Sequence, residues 1–363
     1  MGTLEALVMH ESPTADLRAV QRLVEHVAQR LEIDGWQVER SPISGTGDVL
    51  IATVSGDMPG PATLLLAHCD TVWPVGTTMT RPWRREDDAV YGPGVLDMKA
   101  GIATAIHAVS IARGRGALRG RITLLVNADE ETGSVSSRGH IEEQAGRHDR
   151  VLVLEPAAGD GGLIGARKGA GDYDVWFTGR SAHSGESFDD GASALRELAH
   201  FVLAAEGLSD RTAGTTVAVT VACAGTVSNV IPGEAQARVD LRLERPDEAE
   251  RVHGALRAYT PIDPRVKVAV EGGLKRPPMV ADQASGSLLD RVCILAERLG
   301  LDVPVSRSGG GSDANFTAAL GVPTVDGLGA VGHGAHAVDE RIAISATLDR
   351  VALVAAILSD DGG

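Results

Sequence analysis

The sequence predicts an α/β protein in which a mixed sheet, covered by helices on both faces, is interrupted by a smaller inserted domain of ferredoxin-like plan. Three observations predict it. Short, nearly continuous apolar runs alternate with stretches of helical spacing toward both ends of the chain, the pattern of strands buried on two faces. Between them the order of signals becomes β-α-β-β-α-β, a split βαβ layer. Glycine-rich stretches, Gly161-Gly162 to Gly169 and Gly272-Gly273, flank this middle region and suit hinges. The expected boundaries are 1–168 and 276–363 for the two parts of the larger domain and 169–275 for the insert.

Each element follows from local pattern. Ser12-Pro13 is a cap and first-turn signal for a helix whose apolar residues Leu17, Val20, Val24, Val27 and Leu31 recur at helical spacing up to Gly35. Strands are expected over 49–54 and 62–67, a helix over 99–112, and buried strands over 122–126 and 151–154. In the insert, strands over 173–177, 216–221, 235–243 and 266–270 are interleaved with helices over 192–205 and 246–259. Helices over 287–299, 314–320 and 346–358, with a strand at 323–325, complete the larger domain. The basic run 113–121 is read as a solvated connection between helix and strand.

Composition narrows the function. The chain has 363 residues, 43% hydrophobic and 23% charged, enough for a large core in two domains. Aromatics are only 3%, so the core must rest on aliphatic side chains. A net charge of −15 repels phosphate and argues against a nucleic-acid partner. The three cysteines, Cys69, Cys223 and Cys293, form no CxxC pair and suit a reducing compartment. No basic stretch followed by an apolar core opens the sequence, and no apolar run is read as long enough to span a membrane. The expectation is a cytoplasmic protein with no membrane partner.

Chemistry gathers at the ends of the expected strands, where open α/β sheets bind ligands. Strand 62–67 runs into His68-Cys69-Asp70, a weak signal alone. Asp97 follows a glycine-rich approach and precedes Met98-Lys99-Ala100-Gly101; an N-cap role is its bland reading. Strand 122–126 leads to Asp129-Glu130-Glu131. Three consecutive acids repel one another, so a bound cation explains them better than a solvated loop. Glu155 ends the next strand before Pro156, and His333 and His336 follow the last-strand region. Imidazole with carboxylate suits Zn²⁺ better than Mg²⁺ or Ca²⁺. A carboxylate beside such ions, but not bound to them, can take a proton from water.

Together these motifs resemble one family in order: His68-Cys69-Asp70-Thr71-Val72, Gly92-Pro93-Gly94 with Asp97-Met98-Lys99-Ala100-Gly101, Asp129 to Ser134, Glu155-Pro156 and Ser181-Ala182-His183-Ser184-Gly185. Asn229-Val230-Ile231-Pro232, Asp240-Leu241-Arg242 and Gly309-Gly310-Gly311-Ser312-Asp313 extend the match over nearly the whole chain. It is the co-catalytic zinc family of glutamate carboxypeptidase, aminoacylase, acetylornithine deacetylase and succinyl-diaminopimelate desuccinylase. The motifs resemble the glutamate carboxypeptidase branch most.

The resemblance implies a zinc-peptidase-like catalytic domain with an inserted lid and dimerisation domain, and two Zn²⁺ per subunit, with Co²⁺ or Mn²⁺ as substitutes. Asp97 would bridge the ions, with a cis peptide after it; His68 and Glu155 would complete one site, Glu131 and His336 the other. Glu130 would be the general base and Asp70 would orient His68. Cys69 and His333 are assigned no ligand role. His183 would stabilise the oxyanion, often from a neighbouring subunit, against a bland reading as a surface-loop histidine. Arg242 would grip a substrate carboxylate, or instead form an ion pair with an acid such as Glu244. Asn229, Gly310 and Gly311 would line the substrate pocket, with Arg276 a weaker candidate. The implied substrate is a small peptide or N-acyl amino acid, cleaved by a homodimer. The alternatives are a dipeptidase or aminopeptidase of the same family, or a silent small-molecule-binding relative.

Overall fold

The computed structural model describes residues 1–361. The chain divides into two compact units. One comprises Met1–Ala166, Ala281–Ser308 and the chain from Ser312 onward; the other comprises Arg167–Val280 with Gly309–Gly311. Compactness thus groups the Gly309–Gly311 turn with the insert, although it lies in the expected 276–363 part.

The first unit is built on a mixed sheet whose strands run, in spatial order, Gln37–Ser41, Val49–Ser55, Arg121–Asn127, Thr63–His68, Arg150–Val153 and Thr324–Val325. The first two pairings are antiparallel and the rest parallel. His68 sits level with Asn127, and Leu66 with Val153. Three neighbouring strands therefore end on one edge of the sheet, where His68, the 129–131 acids and Glu155 follow directly.

Helix Leu17–Ile33 turns Val20, Val24, Val27 and Leu31 inward, as its spacing predicts, and Leu23 with them, whereas Leu17, at the first position of the helix, is 46% exposed. Its cap is not Ser12. Asp16 takes that place and accepts the Ala19 amide at 3.0 Å, while the buried Ser12 hydroxyl donates to the Cys69 carbonyl at 2.7 Å. Ser12 therefore donates to a distant carbonyl instead of accepting a local amide. Helix Ala100–Gly114 is apolar on nearly all faces and is packed in the core against helix Ile344–Ser359. With the turn before it, the run Val95–Gly114 is long and apolar enough by composition to cross a membrane, contrary to the expectation above. Its mean hydropathy is 1.3, and 78% of that window is buried inside the fold, so core packing accounts for it.

Several short elements escape sequence reading. Helices Gly2–Met9 and Arg138–Ala145 are two turns each. A small sheet joins Gly332–His333, Arg341–Ala343, Ala89–Tyr91 and Arg84–Glu86. Strands of two or three residues carry no readable alternation.

The second unit is an antiparallel sheet in the order Thr216–Ala224, Glu234–Leu243, Gly169–Thr178, Lys267–Arg276, with helices Ala194–Glu206 and Pro246–Arg257. This is the ferredoxin-like plan. Tyr173, Val175 and Phe177 alternate inward. Phe201 meets both Phe177 and Tyr259 edge to face, which gives the unit a core of its own.

Close approach requires glycine at position 101. A Cβ on Gly101 would run into the Leu154 carbonyl oxygen, on the residue before Glu155. Gly101→Ala should therefore cost about 1–3 kcal/mol, read as a lower Tm. Gly139, on helix Arg138–Ala145 with nothing near its missing Cβ, is the control: Gly139→Ala should be neutral or raise stability by about 0.4–1 kcal/mol.

Candidate metal centre

His68 ends its strand fully buried. Its Nδ1 lies 3.1 Å from the Asp70 carbonyl and 3.3 Å from Asp70 Oδ1. With two acceptors there, Nδ1 carries a proton, and Nε2 is the ring nitrogen turned toward the remaining acids. That Nε2 faces Asp97 Oδ1 at 3.2 Å and Glu155 Oε1 at 3.7 Å. On the other side of Asp97, Oδ2 is 3.3 Å from His336 Nε2, which is itself 3.0 Å from Glu131 Oε2. The two oxygens of one carboxylate thus face two separate histidine–glutamate pairs. His68 falls within metal-ligand range of Asp97 with Glu131, and of Glu130 with Glu155. The structure brings Glu130 and all five proposed ligands, His68, Asp97, Glu131, Glu155 and His336, into one centre. His333, exposed on its short strand, is not among them.

The supporting contacts are local and dense. The Asp70 carboxylate accepts the amides of Glu130 and Glu131, both at 3.2 Å, and the Thr14 hydroxyl at 2.7 Å. It therefore orients the acidic turn as well as His68. Asp129 is turned away from the centre, holding the Ser136 and Ser137 amides and the Ser137 hydroxyl. Asp313 fixes the same region by accepting from Asn127 Nδ2 and Ser134 Oγ. Ser134 and His336 adopt positive φ, +53° and +62°, a conformation rarely held by residues other than glycine unless the surroundings impose it. The Asp97–Met98 peptide is cis.

Electrostatics point to a missing positive charge. Burial, with the charges of Asp97 and Asp70, pushes Glu131 up to about 7, against the pull of His68 and His336. Burial, with Asp97, Glu130 and Asp326, pushes Glu155 well above the carboxylate range. Burial also opposes charge on Asp97, yet hydrogen bonds from His336 and His68 hold it below its usual value. His336 is raised to about 9, first by its hydrogen bond to Asp97. Burial opposes charge on His68, but its bonds to Asp70 and Asp97 hold it well above the imidazole range. Two imidazoles cannot neutralise this many acids. Glu131 Oε1 is buried with no hydrogen-bond partner, an oxygen still owed a cation. The donor set, two imidazoles with three or four carboxylates, fits a pair of divalent ions. Cys69 is fully buried, burial with the Asp70 charge pushes its thiol up to about 12, and it is not among the residues grouped within ligand range of one another.

The remaining predicted residues lie in the second unit. His183 is paired through strand Ala182–His183 with Val230–Ile231, and the Ser184 amide donates to the Asn229 carbonyl at 2.9 Å, so His183 and Asn229 share a corner. His183 is exposed, and its Nδ1 accepts the amides of Gly185 and Glu186 at 3.2 and 3.0 Å. That leaves the proton on Nε2. Arg242 is paired with Asp240 through Nε and Nη2, both at 3.0 Å, and not with Glu244, which lies 3.8 Å from Lys168. Arg242 and Arg276 flank Ala170 on neighbouring strands, and Arg276 is buried. The Gly310 carbonyl accepts from Arg167 at 3.3 Å. One contributor was missed in the sequence: buried Glu340, whose carboxylate holds the backbone around Asp97. An acid four residues past His336 was the available signal.

Similarity to known proteins gives the family. Residues 64–360 match the model of peptidase family M20/M25/M40. Carboxypeptidase G2 of Pseudomonas sp. (strain RS-16) is 34% identical over 368 residues, covering 99% of this chain and 88% of the relative. Succinyl-diaminopimelate desuccinylase of Methylobacterium sp. (strain 4-46) is 30% identical, covering 91% and 88%. Among solved structures, aminopeptidase PepT of Bacillus cereus ATCC 10987 superposes with a TM-score of 0.86 at 22% identity, covering 99% of this chain and 96% of that one; this likeness bears on the fold. With motif order, fold and family model in agreement, the chain belongs to peptidase family M20/M25/M40.

Proposed function

We propose that the protein is a di-zinc hydrolase that cleaves an amide bond to an amino acid bearing a free carboxylate. The observation that carries this reading is the split of Asp97, one oxygen toward His68 and Glu155 and the other toward His336 and Glu131. Those five residues would hold two Zn²⁺, with Co²⁺ or Mn²⁺ as workable substitutes. Such a pair, when bound, supplies the positive charge that acidifies a water and polarises a carbonyl. The chain's own residues do the rest. Glu130, beside the ligands yet outside the Asp97 pairs, takes the proton from the attacking water and returns it to the leaving amine. Asp70 holds His68 and the Glu130–Glu131 turn at once, so base and ligand keep a fixed separation.

The second unit supplies the proposed substrate contacts. The His183 Nε2–H, fixed by two amides on Nδ1, is a ready donor to a developing oxyanion. Asp240 occupies the Nε side of Arg242, and the Nη1 side is the part assigned to the substrate carboxylate. Asn229, Gly310, Gly311 and Arg276 complete the proposed pocket. A carboxypeptidase and a desuccinylase among the relatives support an amide substrate, a small peptide or N-acyl amino acid. Glu rather than Asp at position 155 favours, by resemblance, carboxypeptidase or deacylase action. We also assign a homodimer, because Thr216–Ala224 is an edge strand carrying Val221 at 53% exposure, and unpaired edges invite a partner.

Glu130→Gln should keep its metal while turnover falls by roughly 10²- to 10⁴-fold, measured on N-acyl amino acids and C-terminal-glutamate peptides. Chelation should abolish activity and added Zn²⁺ restore it; full activity in exhaustively metal-free protein would falsify the mechanism.

His183→Ala should lower kcat with metal content unchanged. Mixed with Glu130→Gln under subunit exchange, it should regain activity, up to about half of wild type per heterodimer when His183 acts across the dimer. No recovery after proven exchange, or a monomer in solution, rules out action in trans.

A further inference from the structure

We infer that Glu340 is a positioning residue of the metal centre: it clamps the backbone that presents Asp97 and ties it to the loop that presents His336. The inference rests on the metal reading above. Glu340 is buried, and its two oxygens accept four N–H groups. Oε1 takes the amides of Leu96 at 2.9 Å and Asp97 at 3.2 Å. Oε2 takes the Gly94 amide and the Trp73 indole, both at 2.8 Å. The amides open the irregular turn Val95–Lys99, in which Asp97 and Met98 are non-helical and Gly94 stands at φ +70°. Amides at the start of such a turn have no helical partner. A buried N–H without an acceptor is costly, so the acceptor fixes where this backbone lies.

Only a carboxylate suits the place. It is acceptor-only on both oxygens. Glutamine would set an NH₂ against two N–H donors, so an isosteric replacement cannot restore the clamp.

The position of Glu340 in the chain makes this more than a cap. It lies four residues past His336, in the connection between strands Gly332–His333 and Arg341–Ala343. Arg341–Ala343 pairs with Ala89–Tyr91, with Arg341 opposite Tyr91 and Ile342 opposite Val90, and Ala89–Tyr91 leads into the turn that ends at Asp97. The Glu340 amide donates to the Ala337 carbonyl at 3.1 Å. Arg81 stacks on Trp73, 3.7 Å from its ring centre, and donates to the same carbonyl at 3.4 Å. Trp73, Glu340 and the His336 loop are thus held together, and His336 Nε2 stands 3.3 Å from Asp97 Oδ2. One carboxylate sets the separation of two ligands supplied by distant parts of the chain.

The test titrates metal-free wild type and Glu340→Gln with Co²⁺, reading affinity by calorimetry and coordination by the visible absorption spectrum. Glu340→Gln should bind about 10- to 100-fold more weakly, as loss of an outer partner does, and its Co²⁺ spectrum should change. Leu353→Ala, a core truncation on helix Ile344–Ser359, controls for lost stability and should leave affinity and spectrum as in wild type. Trp73→Phe removes one donor and keeps the ring under Arg81; it should weaken binding by roughly 2- to 10-fold, on the order of the net worth of one ordinary hydrogen bond. It decides the question if Glu340→Gln does not fold. Wild-type affinity and spectrum in Glu340→Gln, or in Trp73→Phe where it is the deciding variant, overturn the inference. So does a loss no greater than that of Leu353→Ala at matched Tm. If wild type itself takes up no divalent ion, the metal reading falls and the positioning role falls with it.

Discussion

Burial of negative charge at one edge of a sheet is the constraint on which the first unit depends. Asp97, Glu130, Glu131 and Glu155 converge with two imidazoles where three parallel strands end. Taking each ionised group from water costs several kcal/mol even after relaxation, and mutual repulsion adds to it. The protein holds Glu131 and Glu155 above the ordinary carboxylate range in consequence. A fold that keeps such an arrangement must over-determine every member of it. Asp70 does this for His68 and the acidic turn, and Asp313 for the Asn127–Ser134 approach.

Backbone irregularity follows from the same demand. A regular strand end or helix start would spread the ligands along the edge of the sheet. Positive φ at Ser134 and His336 and the broken turn at Asp97–Met98 turn them inward instead. Gly94 and Gly101 permit the close approaches beside that turn, since a Cβ on Gly94 would fall 2.6 Å from the Thr71 methyl. Strain of this kind persists only where the surroundings outweigh it. Here the surroundings are buried hydrogen bonds, which are costly to leave unmade.

The second unit answers to different physics. Its aromatic residues and strict alternation give it a core of its own. Its chemically notable groups lie on a corner and along one row of the sheet. His183 presents its Nε2–H because two amides claim Nδ1, and Arg242 is held in a fixed plane by Asp240. Short-range hydrogen bonding has already chosen the tautomer of His183 and the orientation of Arg242.

Local pattern and motif order sufficed for much of this protein. The apolar runs 62–67 and 122–126 read as buried strands because continuous hydrophobicity has no other use in a short segment. The β-α-β-β-α-β order read as the insert because period-2 and period-3.6 signals differ plainly. Carboxylates and imidazoles recurring where strands end marked the region, and the choice of His68, Asp97, Glu131, Glu155 and His336 within it came from the resemblance in motif order. Tertiary structure alone decided the rest. Ser12 read as a helix cap, yet its hydroxyl serves the Cys69 carbonyl 57 residues away, and Asp16 caps the helix. The run Val95–Gly114 carried membrane-like apolarity that only its burial explains. Asp240 rather than Glu244 pairs with Arg242, because both sit on the same strand two residues apart and face one way. Glu340 was not singled out in the sequence. Its role came from strands of two or three residues, too short to show a period, that bring its carboxylate onto amides some 240 positions earlier. Periodicity and spacing report what a residue does to its own element, whereas a buried carboxylate is defined by donors the fold brings from elsewhere.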